Sequence, residues 1–360
     1  MLIYIFVALW PLLIGNYYVS KVGKYHSVEA GLTKVQYKER RNWLLAAAIP
    51  MFLLIALRGK LMGADTLVYL KFYQFTAEAS WGEMFDIVDF EPGFVIFEKL
   101  VSYISKEPLF FQITYTAVYL ITMVHFANQM ERAQFLFLFF FATLGIYAFM
   151  FTGVRQCLAM CICLFSYDYV KKRRIIPFLL CIALAYTFHK SSILFLSAYF
   201  VYPRKLNVGN ILLYAFLAVV FFLNIDTIQE WFNQQLDYAY EVERTGNGLV
   251  YLLVVGAITL FSAAVLKPLF RVSKEYLGVF NISIIALVFW ILRLATRVAE
   301  RPSFYFLFFT MVVLSYAIGT IRDRQQKLLF GFLIIGLSLV LYVYRFINNF
   351  SSLVPYVTAF

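Results

Sequence analysis

Apolar runs of about 18 to 20 residues recur along the chain between short polar breaks, close to the roughly 20 helical residues that cross about 30 Å of hydrocarbon. They fall at 2–18, 43–57, 108–128, 133–152, 156–170, 175–187, 190–202, 209–225, 249–266, 276–295, 302–320 and 328–345. The pattern predicts an all-α fold, a polytopic integral membrane protein with about 12 transmembrane helices. A further apolar stretch, 93–105, holds Glu98 and Lys99 and is too short to span, so it predicts a re-entrant or interfacial helix. The pair 175–187 and 190–202 is also short and has basic residues on both flanks, which predicts a hairpin with FHKSS, 188–192, at its tip. No repeat or low-complexity tract is evident, and the loops near 58–107 and 226–248 are too small for separate domains. Residues 1–360 therefore read as a single polytopic membrane domain.

Composition agrees with this reading. The chain is 62% hydrophobic and 14% charged, against about 45–50% and about 25% in globular proteins, which excludes an ordinary soluble enzyme. Its net charge of +11 informs topology more than partner class. Lys21, Lys24, Lys34, Lys38, Arg40 and Arg41 fill the loop after the first run, and KKRR occupies 171–174. With 93–105 kept on the outer side, nineteen of the 31 lysines and arginines collect in inner loops. The positive-inside rule then puts 21–42 and 171–174 in the cytoplasm and both termini outside, and cations spread in this way do not form a nucleic-acid surface. The first run lacks a basic lead and a small-residue cleavage site, so it is read as a retained helix. Cys157, Cys161, Cys163 and Cys181 lie inside apolar segments and indicate neither a disulfide framework nor a metal site. GxxxxGK[ST], HExxH and GxSxG are absent.

The unusual polar residues gather toward the outer side: Arg58, Asp65, Tyr69, Glu91, Arg155, Gln156, His189, Arg293, Arg297, Glu300 and Arg301. An arginine at membrane depth costs at least about 2.5–3.5 kcal/mol on insertion scales, so something must offset it. Read as one helix, 276–300 sets Arg293 and Arg297 four apart on one stripe that Arg301 continues, with Pro302 in the first turn of the next helix. Converging guanidinium groups suit a diphosphate, and pairing with Glu300, Asp65 or Glu91 is the structural alternative. Gly59 and Gly63 permit a tight turn before Asp65, which reads as a base for a sugar hydroxyl or as an N-cap. His189 is the alternate base, with an ordinary pKa closer to neutrality, and a hydrogen-bonded structural histidine is its competing reading. Trp231, Tyr238 and Tyr240 are candidates for sugar stacking or for an aromatic belt.

RGKLMGADTLVY at 58–69, EPGF at 91–94, VRQ at 154–156, FHKSS at 188–192 and AERPSFY at 299–305 together resemble the motif series of the EpsG-type family of bacterial exopolysaccharide proteins, which are Wzy-like polysaccharide polymerases. Two features depart from it: GAD replaces GTD while keeping Asp65, and Pro302 and Ser303 lead into Tyr305. The resemblance implies a metal-independent glycosyltransferase without a cofactor, joining undecaprenyl-diphosphate-linked oligosaccharide repeat units on the outer face of the bacterial cytoplasmic (inner) membrane. Its setting would be capsule, O-antigen or exopolysaccharide synthesis, among membrane lipid and beside a flippase and a chain-length regulator, with no nucleic acid. The residues expected in catalysis are Asp65, His189 and Glu300. Those expected at the substrate are Arg58, Tyr69, Glu91, Arg155, Gln156, Arg293, Arg297, Arg301 and Tyr305. The alternative is a secondary transporter or flippase of an anionic or lipid-linked saccharide, which broken helices and intramembrane charge also suit.

Overall fold

The computed structural model describes residues 1–22, 34–87, 89–202, 204–205, 209–210, 248–349 and 351–360. Regular structure among them is helical, apart from one isolated bridge between Arg58 and Thr358. The chain forms two compact units, one from 1–165, 184–189 and 323–360, the other from 166–183 and 190–322.

The first unit contains α1 (Leu2–Val22), α2 (Lys34–Ala56), α3 (Thr66–Glu78), α4 (Met84–Ile87), α5 (Pro92–Ser102), α6 (Pro108–Asn128), α7 (Gln134–Thr143) and α8 (Ile146–Phe149). It also takes the start of α9 (Val154–Lys171) and the end of α10 (Ile175–Tyr186). The second unit holds the rest of α9 and α10, a 3-10 turn at Lys190–Phe195 and α11 (Leu196–Val201). Its long helices are α12 (Gly248–Leu266), α13 (Lys274–Leu292) and α14 (Glu300–Thr320), while α15 (Arg324–Asn349) returns to the first unit.

Six of the described helices, α1, α6, α12, α13, α14 and α15, are long and apolar enough to cross a membrane, so the protein is a helical membrane protein. Helix α14 is apolar all round and is buried along nearly its whole length, from Pro302 to Ile318, which makes it the core of the second unit. The helical stretches Ile175–Tyr186 and Lys190–Val201, where a hairpin was expected, are short. Residues 211–225 of the expected span 209–225, the loop 226–248 up to residue 247, and Trp231, Tyr238 and Tyr240 lie outside the described residues.

Two expected helices are not continuous. The run 133–152 breaks at Gly145, whose φ is +101°, and only glycine fits there, since the buried Arg345 guanidinium packs where a side chain would stand. The helix expected over 276–300 ends at Leu292, with Arg293 as its C-cap. The chain then turns, and Thr296 caps a short 3-10 segment, Arg297–Ala299, through its hydroxyl. Arg293 and Arg297 therefore do not share a helical stripe.

Candidate functional site

The EPGF segment builds the centre of the candidate site. Pro92 suits the first turn of α5, and Glu91 holds the N-cap in an extended conformation. Gly93 lies against Thr187: its N–H donates to the Thr187 carbonyl at 2.8 Å, and a Cβ at Gly93 would run into the threonine side chain. This close approach brings the turn after α10 to the start of α5. The Nδ1 of His189 then lies 3.0 Å from Glu91 Oε1.

The other carboxylate oxygen, Oε2, accepts from Arg155 Nη1 at 2.5 Å. Arg155 stands in the first turn of α9, where the helix dipole disfavours a cation, and Glu91 offsets that cost. The guanidinium also donates through Nε to Tyr69 Oη at 3.5 Å and lies over the Phe90 ring, 4.2 Å from its centroid. Phe90, Phe94 and Tyr69 pack edge to face or tilted against one another. Glu91, His189 and Tyr69 are buried, and the Arg155 side chain keeps 17% of its exposure. Burial pushes the Glu91 carboxyl up, but the His189 hydrogen bond and the Arg155 charge outweigh it and hold the group at about 2. An oriented imidazole, an ionised carboxylate and a cation thus meet in one water-poor cluster.

Beside the cluster, Asp65 occupies the N-cap of α3, half-buried and without a side-chain cap bond, one turn before Tyr69. Arg58 is fully buried. It donates to the carbonyls of Ile55 (2.6 Å), Met62 (3.3 Å) and Phe151 (3.1 Å), and to the hydroxyls of Thr66 (3.2 Å) and Tyr115 (2.8 Å). Gly63, at φ +88°, makes the turn beneath it. The C-terminal segment closes over the same loop, since Gly59 N–H donates to Val357 O at 2.8 Å and Ala359 N–H to Leu57 O at 2.9 Å. Gln156 is buried in α9.

The second unit holds the remaining expected residues. Arg293 is buried and donates from Nε to Glu300 Oε2 at 3.0 Å. Arg297 and Arg301 are exposed, while Tyr305 is buried with its hydroxyl 3.2 Å from Ser191 Oγ.

Sequence reasoning had not singled out Phe90, Thr187 or the docked C-terminus, and it had treated Glu98 and Lys99 only as an argument against a span. Both are buried on α5. Lys99 Nζ donates to the carbonyls of Thr76, Ala77 and Ala79 at the end of α3, where a cation complements the helix dipole. Glu98 accepts from Thr76 Oγ1 at 3.2 Å, and burial pushes its carboxyl up to about 8. An ionisable pair inside an apolar 11-residue stretch was the available signal.

The model of the EpsG family matches residues 41–358. The chain belongs to the EpsG family. The matched span contains all five motif segments and the whole Glu91 cluster, and membership associates the protein with exopolysaccharide synthesis. No curated protein and no solved structure matches the chain.

Proposed function

We propose that this EpsG-family protein is a polysaccharide polymerase, a glycosyltransferase that joins undecaprenyl-diphosphate-linked oligosaccharide repeat units at the outer face of the bacterial cytoplasmic membrane. The polymer would be a capsule, O-antigen or exopolysaccharide, made beside a flippase and a chain-length regulator. Family membership supports the polysaccharide setting. The observation that carries the chemistry is the buried Glu91 carboxylate held between Arg155 and His189. About 12 crossings remain the reading of the whole chain, supported by the six long helices, the short apolar ones and the apolar run at 209–225.

In this mechanism His189 donates Nδ1–H to Glu91, which fixes the tautomer whose lone pair is on Nε2. The acceptor hydroxyl oxygen attacks the anomeric carbon of the donor, and its proton passes to Nε2. The bond from that carbon to the diphosphate oxygen breaks, and its electron pair leaves with the lipid diphosphate. Such a leaving group needs cations rather than a general acid, and Arg155 supplies one at the cluster. Arg297 and Arg301 take the role of capturing an anionic group on the second unit. Asp65 gives way to His189 as base because, among the described residues, no comparable pair orients it.

The test uses purified protein with a lipid-linked repeat and compares His189→Gln with Asp65→Asn. His189→Gln is expected to lose about 10²- to 10⁴-fold in turnover with donor binding kept, the usual range for a general base. Near-native turnover in His189→Gln, with loss in Asp65→Asn, returns the base to Asp65. In cells, deleting the gene is expected to leave single lipid-linked repeats, whereas loss of every outer-face unit would point to transport.

A further inference from the structure

Helix α5 is inside out. Its polar residues Glu98, Lys99 and Ser102 are buried with Phe94, Val95 and Val101 against the rest of the first unit. Its outward stripe is apolar: Pro92, Ile96 and Leu100 recur every four residues, and Tyr103 and Ile104 continue it past the C-terminus. Leu100 is 54% and Tyr103 66% exposed. The neighbouring α3 exposes Lys71, Gln74 and Glu78 beside Val68 and Phe75, so its outer side is mixed where that of α5 is apolar. A water-facing helix would carry its charges the other way round, so the stripe faces lipid.

The ends of α5 fix how it lies. Glu107 is the N-cap of the spanning helix α6, and the exposed Lys106–Glu78 ion pair stands beside it, so this end of α5 is at a membrane boundary. Before the other end, Asp86 and Asp89 are both exposed. Eleven helical residues rise only about 16 Å, far short of the hydrocarbon thickness, so a dipping α5 would carry those two carboxylates toward mid-bilayer. Trp81 donates from Nε1 to Tyr103 Oη at 2.7 Å, an exposed aromatic pair of the kind that gathers at membrane surfaces.

We propose that α5 lies flat in the membrane interface, with Ile96, Leu100, Tyr103 and Ile104 resting on the hydrocarbon of the bilayer. Glu91 caps this helix, so the Glu91–Arg155–His189 cluster sits at headgroup depth. A substrate reaching it would present its polar head at that level, which, on the polymerase reading, is where the diphosphate of a membrane-anchored donor stands.

The experiment places a nitroxide in turn at Ile96→Cys, Leu100→Cys, Tyr103→Cys and Asp89→Cys in a Cys181→Ser background, the other three cysteines being buried. The labelled protein is reconstituted in phosphatidylcholine vesicles, and collisions with oxygen and with a water-soluble nickel chelate are compared. Labels at 96, 100 and 103 are expected to favour oxygen at one common depth, and the label at 89 to favour nickel. A depth difference of about 10 Å between 96 and 103, the rise of seven helical residues, would show a dipping helix and overturn the proposal. Nickel-favoured collisions at 96 and 100 would show a water-facing stripe and overturn it too. Label depth is read without turnover, so either result would leave the polymerase reading to its own assay.

Discussion

His189 Nδ1 and Glu91 Oε1 meet at 3.0 Å across 98 residues of chain, and Arg155 closes on the other oxygen of the same carboxylate. A buried carboxylate with two such partners is ionised at neutral pH, and removing it strands the cation. Glu91→Gln is therefore expected to lose about 3 kcal/mol at pH 7, the usual loss when one member of a buried pair is removed. The native carboxyl sits at about 2, below its ordinary 4.5, so its contribution is present above pH 4.5 and fades as pH falls toward 2. Thermal unfolding in detergent at pH 7 and pH 3 checks this: the gap between native protein and variant should narrow at the lower pH.

Glu98 runs the other way. Its carboxyl is raised to about 8, so the stability associated with the neutral acid is complete below pH 4.5 and is lost as pH rises through about 8. Glu98→Gln keeps the shape and the bond from Thr76 without that loss. Melting temperatures of the two proteins should agree near pH 4, diverge in favour of the variant up to about pH 8 and run parallel above it. Equal melting curves across this range would show that the Glu98 carboxyl is not raised in the folded protein.

Gly93 couples the site to the 187–189 turn by close approach alone. In Gly93→Ala the new methyl meets the Thr187 side chain and carbonyl, so α5 and the turn must separate. Overpacking of this kind costs about 1–3 kcal/mol, and here it also lengthens the Glu91–His189 bond. Polymerisation is expected to fall at least tenfold while the protein still inserts. Adding Thr187→Ala removes the collision with Oγ1 and leaves those with Cβ and the carbonyl oxygen, so recovery should be partial.

How much of this was legible beforehand depended on the kind of signal. The long apolar helices were visible because hydrocarbon thickness imposes a length on them, and α6, α12 and α14 fall close to where the runs of apolar residues put them. The break at Gly145 was not visible, and neither was the close packing of Arg345, two hundred residues away, that keeps a side chain out of that position. Glu91 and His189 were each conspicuous as polar residues in an apolar chain, yet their pairing rests on Gly93 fitting against Thr187, a tertiary contact with no local signature. Arg58 and Arg155 looked alike in sequence. The structure separates them: one guanidinium is enclosed by carbonyls and hydroxyls, the other pairs with a carboxylate and keeps some exposure.

That separation gives the last prediction. Arg58 donates in several directions within the protein, and lysine, with one nitrogen on a flexible stem, cannot reproduce a planar fork. Arg58→Lys should lower the yield of folded protein and its melting temperature, and what remains folded should bind lipid-linked donor normally. Arg297, in the 3-10 segment before α14, and Arg301, in its first turn, are both exposed, so replacing arginine by lysine keeps a cation at the surface. Arg297→Lys and Arg301→Lys should insert and melt as the native protein does. If each guanidinium grips two oxygens of one anionic group, both variants should still need several-fold more donor to reach half-maximal rate. Donor titrations of all three variants, read beside their melting curves, distinguish the roles. Native donor dependence in both lysine variants would remove Arg297 and Arg301 from the substrate site, and a melting loss confined to Arg58→Lys would keep that residue as a clasp of the fold.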